Sequence, residues 1–521
     1  MNAGLHTLGR WTADRAIATP GRTAILDTGV ALTYRELEDR ATRLAERLIA
    51  AGYRPGERIA TLSGNSSDHV VLFFACAKSG LVLTPLSWRL GAAEVAVQLE
   101  TADPALLVVE EEFGSLAAEA CALLPMPPSH VRPGRAGIEQ DVPAPHRRAT
   151  GAGDRAEERA PGRPVRDDDP VLMPFTSGTE GASKAVVLTH ANCFWNNLAL
   201  SRTLEITSSD VVLAVLPQFH TGGWNIQPLL AWWSGATVVM ERTFDAGRVL
   251  SLIEDRSITT LMAVPAQYLL LAEHPRFAAT DLSSLRLAVV GGAAMPPALM
   301  RAWHARDVPL VQGYGLTEAG PNVLSLPAED ARERVGWMGR PYPHVEVAVA
   351  DPATGRLLDG PATGELLVGG PSVFAGYFRD PGATARALAG GWLHTGDLVE
   401  RDADGYFRIV DRLKDIFVSG GENVVPAEVE QVLTGHPAVA AAAVVGTPHE
   451  RWGETGHAFV VRRAGVPVDE TELREHCARL LAGYKQPTQY TFVPELPRTG
   501  LEKIARGRLR PPARERTHHG H

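Results

Sequence analysis

VVLAVL (211–216), TVVM (237–240), TTLMAV (259–264) and LAVV (287–290) are four short apolar runs separated by stretches long enough to form helices. Apolar strands that alternate with helices usually form parallel sheets covered by helices on both faces. The N-terminal part shows the same alternation, with a helical pattern at 34–50 and strand-like runs at 59–62 and 106–109. The bulk of the chain is therefore predicted to be α/β.

The pattern changes past residue 340. Glycine-rich turns separate short runs such as 365–368 and 406–410, which favours a β-rich subdomain. The charged segment 411–415 then precedes a new α/β pattern through 429–433 and 440–445, so a domain boundary is expected there.

A long surface loop is predicted at about 125–170, where Pro, Arg, Ala, Gly and acidic residues replace apolar periodicity. Within it, residues 151–156 match the dinucleotide-binding pattern GxGxxA. No strand-like run precedes this match, and the pattern has meaning only in a strand-to-helix turn, so a dinucleotide site is not expected.

The 521 residues suggest two to four domains, and 45% hydrophobic with 21% charged residues is typical of a folded globular protein. Because 60 acidic residues outnumber 51 Lys and Arg, giving −9, nucleic acid is an unexpected partner. Four scattered cysteines predict neither a disulfide framework nor a zinc site. With no signal peptide or transmembrane run evident, a cytoplasmic protein is expected, and a homodimer is a possible assembly.

The richest local motif is Thr176–Lys184, TSGTEGASK, which follows an apolar run. Hydroxyls, glycine backbone and one ammonium are the groups that a polyphosphate requires. The motif is not a Walker A loop, which would place glycine directly before the lysine.

Six further motifs follow in order: LPQFHTGGW (216–224), GGAAMP (291–296), QGYGLTE (312–318), GWLHTGD (391–397), DRLKD with GGEN (411–415 and 420–423), and PRTGLEKI (497–504). Together they resemble the adenylate-forming superfamily, which includes acyl-CoA synthetases, firefly luciferase and nonribosomal-peptide adenylation domains. The resemblance extends over nearly the whole chain. It implies an N-terminal domain (1–411) of two doubly wound sheets and a β-barrel, a hinge (412–415) centred on Lys414, and a small mobile α+β C-terminal domain (416–521).

The resemblance also implies residue roles. The β- and γ-phosphates of ATP would be held by Thr176, Ser177, Gly178, Thr179, Glu180, Gly181 and Lys184. Three positions depart from the family pattern: Glu180 stands where threonine is usual, Ser183 where proline is usual and Ala185 where glycine is usual. Glu180 is expected either to face solvent or to meet Mg²⁺ or another cation.

For the rest of the nucleotide, Tyr314 would stack on adenine, with Gly313 and Gly315 allowing close approach. Gly292 and Ala293 would border the same site. Thr317 would bond the α-phosphate, and Glu318 would be the Mg²⁺ ligand, since hard oxygen donors suit that ion. Asp397 would accept the ribose hydroxyls, and Arg412 would donate to the ribose.

The acyl pocket would be formed by Phe219, Gly223, Trp224, Gly291 and Gly315, with His220 at the carboxylate end. Lys503 matches the catalytic lysine, which stabilises charge moving between the carboxylate and the α-phosphate. Its neighbour Glu502 stands where glycine is usual. Gly420, Gly421 and Glu422 resemble the CoA-ligase branch and would face CoA.

These roles predict an AMP-forming acyl-CoA synthetase that uses ATP, Mg²⁺ and CoA. The absence of Arg and Lys from 219–228 and 291–297 favours a monocarboxylic acid, fatty or aromatic. Two alternatives stay open: an adenylating enzyme with a non-CoA acceptor, as in luciferases and diazotising ligases, and a non-catalytic nucleotide-binding relative.

Overall fold

The computed structural model describes residues 4–134, 137–146, 163–177, 183–450, 452–498 and 504–509. Fourteen α-helices lie in these ranges: α1 (Gly9–Ala18), α2 (Tyr34–Ala50), α3 (Ser67–Ser79), α4 (Ala92–Ala102), α5 (Gly114–Ala122), α6 (His190–Ser201), α7 (Gly222–Asn225), α8 (Pro228–Ser234), α9 (Ala246–Asp255), α10 (Pro265–Glu273), α11 (Pro297–His304), α12 (Pro381–Ala387), α13 (Pro426–Thr434) and α14 (Glu470–Leu480).

The same ranges contain the following strands: β1 (Thr23–Asp27), β2 (Val30–Thr33), β3 (Arg58–Leu62), β4 (Val82–Pro85), β5 (Leu106–Val109), β6 (His130–Val131), β7 (Pro170–Leu172), β8 (Phe175–Ser177), β9 (Ser183–Thr189), β10 (Val211–Ala214), β11 (Thr237–Met240), β12 (Thr260–Ala263), β13 (Leu287–Val290), β14 (Leu310–Gly315), β15 (Asn322–Ser325), β16 (Arg340–Pro341), β17 (Glu346–Ala350), β18 (Leu357–Leu358), β19 (Ala362–Gly369), β20 (Gly376–Tyr377), β21 (Leu393–Arg401), β22 (Phe407–Arg412), β23 (Phe417–Ser419), β24 (Glu422–Val424), β25 (Val439–His449), β26 (Gly453–Arg462) and β27 (Gln489–Phe492).

The chain divides into two compact units. The first unit comprises residues 1–347 and 367–394, and the second comprises 348–366 and 395–521. The predicted domains and the hinge at 412–415 have different bounds and stay a prediction, because a compact unit is not in itself a moving body.

The largest sheet of the first unit has nine strands in the order β16-β15-β14-β13-β12-β10-β11-β1-β2. Its central strands pair in parallel, and they include all four apolar runs that predicted the α/β class. Their carboxyl ends therefore lie along one edge, the usual ligand-binding edge of such a sheet. The predicted α/β class is confirmed.

The second sheet of this unit has the order β20-β9-β7-β4-β3-β5-β6, and β8 adds to β9. Strands β3, β4, β5 and β6 pair in parallel, whereas β9 is antiparallel to β7, β8 and β20. This arrangement places β20, from late in the chain, beside the strand that follows the TSGTEGASK motif.

Helix α2 illustrates how sequence fixes an element. The Thr33 hydroxyl accepts the Glu36 N–H at 3.2 Å, and the Glu36 carboxylate accepts the Thr33 N–H at 2.9 Å, which closes a capping box. Its apolar residues recur at helical spacing and are buried: Tyr34, Leu37, Ala41, Leu44 and Leu48. The predicted helix 34–50 is confirmed at both ends.

Part of the predicted loop at 125–170 is packed. β6 pairs with β5, Ile138 is buried, and the Glu139 carboxylate accepts a hydrogen bond from the buried Arg40 guanidinium at 3.2 Å. A buried apolar side chain and an ion pair thus contribute to the packing here, and average composition reveals neither. Residues 147–162, including the GxGxxA match, lie outside the described residues.

The second unit contains β18 and β22, two of the turn-separated strands predicted after residue 340, and a C-terminal α+β part. In that part, β24-β23-β26-β25 form a mainly antiparallel sheet, with β27 parallel to β26. Helices α13 and α14 pack on its apolar core, which includes Phe417 and Val444. Within the described part of the chain, no helix has the length and apolarity needed to cross a membrane.

Candidate functional site

The TSGTEGASK motif lies between two paired strands of the first unit. Antiparallel pairing of β8 with β9 places Thr176 opposite Lys184 and Ser177 opposite Ser183. The intervening residues 178–182, which include the predicted Gly178, Thr179, Glu180 and Gly181, fall outside the described residues. The pairing of β8 with β9 brings the Thr176 hydroxyl and the Lys184 ammonium to the same place.

Ser183, one of the departures from the family pattern, has a defined structural role. Its hydroxyl donates to the Thr176 carbonyl at 3.3 Å and accepts from the Gln98 side chain of α4 at 3.1 Å. Ala185, a second departure, is buried opposite Phe175. Both residues therefore stabilise the hairpin, and neither introduces a charge beside it.

Glu318 meets this hairpin from the other sheet. It lies in the turn Thr317–Ala319 directly after β14, and its Oε1 accepts the Thr176 hydroxyl at 3.4 Å. The same oxygen accepts the Tyr377 hydroxyl at 3.0 Å. Two motifs far apart in the sequence thus converge on one carboxylate.

The sequence did not single out Tyr377. β20 pairs with β9 so that Tyr377 lies opposite Val186, and the Lys184 Nζ lies 5.1 Å from the Tyr377 ring centroid. Burial, and then the adjacent Glu318 carboxylate, raise the pKa of Tyr377 far above its ordinary value, so its hydroxyl is a proton donor at neutral pH. No motif containing Tyr377 signalled this, because its position depends on a long-range strand pairing.

The residues present suit Mg²⁺. Across the described ranges, no group of three or more His, Cys, Asp or Glu side chains could enclose a metal ion. Mg²⁺ does not need such a cage, since it commonly uses one or two carboxylates together with substrate phosphates and water. Glu318, which contacts the Thr176 hydroxyl at the β8–β9 pair, is a carboxylate of the kind that such a site uses.

The predicted adenine region lies at the carboxyl ends of β13 and β14, which pair in parallel. A Cβ on Gly291 would lie 3.3 Å from the Gly313 carbonyl oxygen, and one on Gly315 would lie 1.6 Å from that of Pro321. Gly292 has φ +81° and precedes Ala293, whose carbonyl accepts from Gln312 at 3.4 Å. The glycines permit close backbone packing around the half-buried Tyr314.

The predicted acyl-pocket motif surrounds a buried tryptophan. Trp224 is fully buried, stacks on Phe73 with ring centroids 4.8 Å apart, and donates to the Gln218 carbonyl at 2.6 Å. These contacts make Trp224 a packing anchor of the first unit. Its place in an acyl pocket stays a prediction, as does that of Gly223.

His220 lies in the segment that this anchor holds. Its ring centroid is 4.4 Å from that of Phe219, whose ring meets Trp88 edge-on at 5.6 Å. Two contacts hold the neighbouring Gln218 side chain in place: its Oε1 accepts the Ser66 N–H and contacts His69 Nδ1, both at 3.2 Å. The sequence did not single out His69; its burial lowers its pKa to about 4.

In the second unit, Asp397 and Arg412 form a pair. Strand pairing of β21 with β22 places them opposite each other, and Arg412 Nε lies 2.7 Å from Asp397 Oδ1. Asp397 is 3% exposed, and its backbone N–H donates to the Thr395 hydroxyl. The two residues predicted at the ribose are thus preorganised together.

The GGEN motif forms a tight hairpin. Gly420 and Gly421 join β23 to β24 with φ of +61° and +88°, a backbone conformation that favours glycine in two-residue turns. Glu422 is exposed at the start of β24, and the predicted hinge residue Lys414 is exposed between β22 and β23. The structure does not test their predicted roles.

Lys503 lies outside the described residues, but its flanks are fixed. Arg498 and Ile504 form an isolated antiparallel bridge, and the Ala505 N–H donates to the Pro497 carbonyl at 2.8 Å. Arg506 then pairs with the Glu430 carboxylate at 2.8 Å and with Asp415 at 3.4 Å. The described residues on either side of Lys503 therefore pair with each other, and Arg506 ties the following residues to Glu430 of α13.

The chain is similar to known enzymes along most of its length. Residues 12–378 match the family described as AMP-binding enzyme, and residues 428–503 match the family described as AMP-binding enzyme C-terminal domain. A feruloyl-CoA synthase from an Amycolatopsis species is 41% identical over 96% of this chain and 98% of its own. A fatty acid–[acyl-carrier-protein] ligase, ScoC, from Streptomyces coeruleorubidus is 38% identical over 97% of this chain and 96% of its own.

Solved structures agree as well. ATP-bound MatB from Rhodopseudomonas palustris superposes with a TM-score of 0.86 and 30% identity, covering 97% of this chain and 98% of that one. The α/β fold, the ordered motifs and the family matches lead to one conclusion. The chain belongs to the AMP-binding enzyme family, the adenylate-forming superfamily, in its acyl-CoA synthetase branch.

Proposed function

We propose that this chain activates a monocarboxylic acid with ATP as an acyl-adenylate and transfers the acyl group to CoA, releasing pyrophosphate and AMP. The observation that carries the proposal is the convergence of Thr176, Lys184 and Glu318 at one place in the first unit. A hydroxyl, an ammonium and a carboxylate there match the needs of a metal-bound triphosphate. Asp397 with Arg412 supplies, in the second unit, the acceptor and donor suited to a ribose.

In the first half-reaction, a carboxylate oxygen attacks the α-phosphorus of ATP, and the bond to pyrophosphate breaks. Lys184 and Thr176 hold the leaving phosphates, while Thr317 and Lys503 donate to the α-phosphate and the carboxylate. When bound at Glu318, Mg²⁺ supplies positive charge that offsets the charge on the phosphates. In the second half-reaction, the CoA sulfur attacks the acyl carbon and AMP leaves.

The acid is proposed to be aromatic. The segment predicted to contact it, around Phe219 and His220, is continuous with Trp88 in a run of edge and tilted ring contacts. Such contacts favour a flat aromatic ring over a flexible alkyl chain. The relative with 41% identity is a feruloyl-CoA synthase, and the feruloyl group is aromatic.

The decisive experiment measures pyrophosphate, AMP and thioester together. Benzoates, cinnamates, fatty acids and a dicarboxylate are each supplied with Mg·ATP, with and without CoA. We expect pyrophosphate release to require an aromatic monocarboxylate and thioester to appear only with CoA. A Glu318→Gln variant should lose this release, whereas Glu495→Gln, which changes an exposed carboxylate, should keep it.

A second acceptor is favoured by one observation: ScoC, 38% identical, is named for transfer to acyl carrier protein. Acid-dependent pyrophosphate release without thioester would identify a non-CoA acceptor. No release with any acid would instead support a nucleotide-binding protein without catalysis. The proposed enzyme is cytoplasmic, and whether it forms a homodimer would be read from sedimentation equilibrium.

A further inference from the structure

Tyr377 lies where three groups assigned to nucleotide binding meet. Its hydroxyl donates to Glu318 Oε1 at 3.0 Å, and its ring centroid lies 5.1 Å from Lys184 Nζ. Thr176 donates to the same Glu318 oxygen at 3.4 Å. None of the predicted roles used Tyr377.

The backbone fixes Tyr377 from two directions. The Phe374 N–H donates to the Glu318 carbonyl at 2.8 Å, and the Tyr377 N–H donates to the Thr384 hydroxyl at 2.9 Å. The Phe374 ring contacts the Tyr377 ring at 4.9 Å. Glu318 is therefore held at its backbone and its carboxylate by one short segment, residues 374–377.

The Glu318 carboxylate is held on one side only. Within the described part of the chain, both hydrogen bonds to it end on Oε1, which leaves Oε2 for a cation. Outer hydrogen bonds of this kind orient a metal-ligating carboxylate, and their loss typically lowers metal affinity about 10- to 100-fold.

The Tyr377 ring serves Lys184. Among the described residues, no carboxylate lies within 4.0 Å of the Lys184 ammonium. The ammonium instead lies over the face of the Tyr377 ring. A ring face attracts an ammonium weakly and neutralises none of its charge. Lys184 is thus held beside the ring, and none of the described carboxylates competes with a phosphate for its ammonium.

We propose that Tyr377 is a positioning residue for nucleotide activation: its hydroxyl orients Glu318 toward the metal of Mg·ATP, and its ring holds Lys184 toward the phosphates. This role rests on the proposed function, because it takes Glu318 as the metal ligand and Lys184 as the phosphate ligand. It separates two effects within one side chain, which two substitutions can distinguish.

Titration calorimetry of ATP with and without Mg²⁺ tests the hydroxyl, without reliance on turnover. Tyr377→Phe keeps the ring, so ATP binding in EDTA should be unchanged, while the strengthening by Mg²⁺ should shrink about 10- to 100-fold. Tyr34→Phe is the matched control, since it removes a buried hydroxyl that donates to the Ala236 carbonyl. That variant should keep the full Mg²⁺ effect.

Tyr377→Leu tests the ring. It should show the same reduced Mg²⁺ effect and, in addition, weaker binding of inorganic pyrophosphate in EDTA, which Tyr377→Phe should not show. Thermal unfolding confirms that each variant is folded. If Tyr377→Phe keeps the whole Mg²⁺ effect of the wild type, the positioning role is overturned. If the wild type itself gains nothing from Mg²⁺, the metal assignment of Glu318 and the proposed function fail instead.

Discussion

At the scale of single residues, Asp397 gives the sharpest test of the nucleotide assignment. Asp397→Asn keeps the shape of the side chain but removes the charge that would strengthen two hydrogen bonds to the ribose. Each charge-assisted hydrogen bond contributes about 1.5–3 kcal/mol, so ATP should bind at least about 10-fold more weakly. Calorimetry measures this, with Glu495→Gln as the exposed control. Unchanged affinity would place the ribose elsewhere.

Residue types in a motif could be predicted, whereas their partners could not. The hydroxyls and the ammonium of the 176–184 motif predict a polyphosphate site that includes Thr176 and Lys184, whereas the roles of Glu318 and Asp397 follow from the resemblance to the adenylate-forming superfamily. The position of Tyr377 depends on β20 pairing with β9, which is distant in the sequence. One sequence does not reveal such long-range strand pairing, so the contacts of Tyr377 appear only in the structure.

At the scale of elements, α3 supports the His220 segment through His69. Burial lowers the pKa of His69 to about 4 from 6.5. Its stabilising contribution is therefore complete above pH 6.5 and is lost as pH falls toward 4. When the pH is lowered from 7 to 5, the free energy of unfolding should fall by about 2 kcal/mol more in the wild type than in His69→Gln. Urea unfolding measures this difference.

The matched control for that prediction is His130→Gln, because His130 is exposed. It should retain the pH dependence of the wild type. If the free energy of unfolding changed equally with pH in His69→Gln and in the wild type, burial would not hold His69 in its neutral form.

Adjacent glycines at the start of α7 provide a second test. A Cβ on Gly223 would lie 2.4 Å from the Pro217 carbonyl oxygen, whereas one on Gly222 would lie 3.3 Å from flexible side chains. Gly223→Ala must displace the backbone that leads to His220, and overpacking of this kind costs about 1–3 kcal/mol. Gly223→Ala should lower both the free energy of unfolding, measured in urea, and the rate of adenylate formation. Both should remain near normal in Gly222→Ala. Equal effects would contradict the close packing.

At the scale of the whole molecule, periodicity predicted the class but not the packing of every segment. The apolar runs at 237–240 and 287–290 are strands with those bounds, because each is a buried central strand of a parallel sheet. A long surface loop is predicted at about 125–170. Part of it, around Ile138, is packed through the Ile138 side chain and the Glu139–Arg40 pair, contacts that average composition does not contain, whereas residues 141–146 are exposed or half-buried.

Lys503 is expected to act in only one of the two half-reactions. In the family mechanism Lys503 stabilises charge during adenylate formation, and the loss of one such donor costs about 10²–10³ in rate. Lys503→Ala should therefore slow pyrophosphate release by that factor, whereas thioester formation from supplied acyl-adenylate and CoA should be nearly normal. Arg479→Ala, an exposed cation of the second unit, should leave both steps unchanged.

Lys414→Pro should give the reverse pattern, because proline fixes φ and removes a backbone donor at the predicted hinge. Adenylate formation would persist while thioester formation falls, since only the second step would require the hinge to rotate. Rapid-quench assays with radiolabelled acid measure the two steps separately. Equal slowing of both steps by Lys503→Ala would assign the lysine a structural role. If Lys414→Pro slowed neither step, rotation about residues 412–415 would not belong to the catalytic cycle, and the two half-reactions would share one arrangement of the chain.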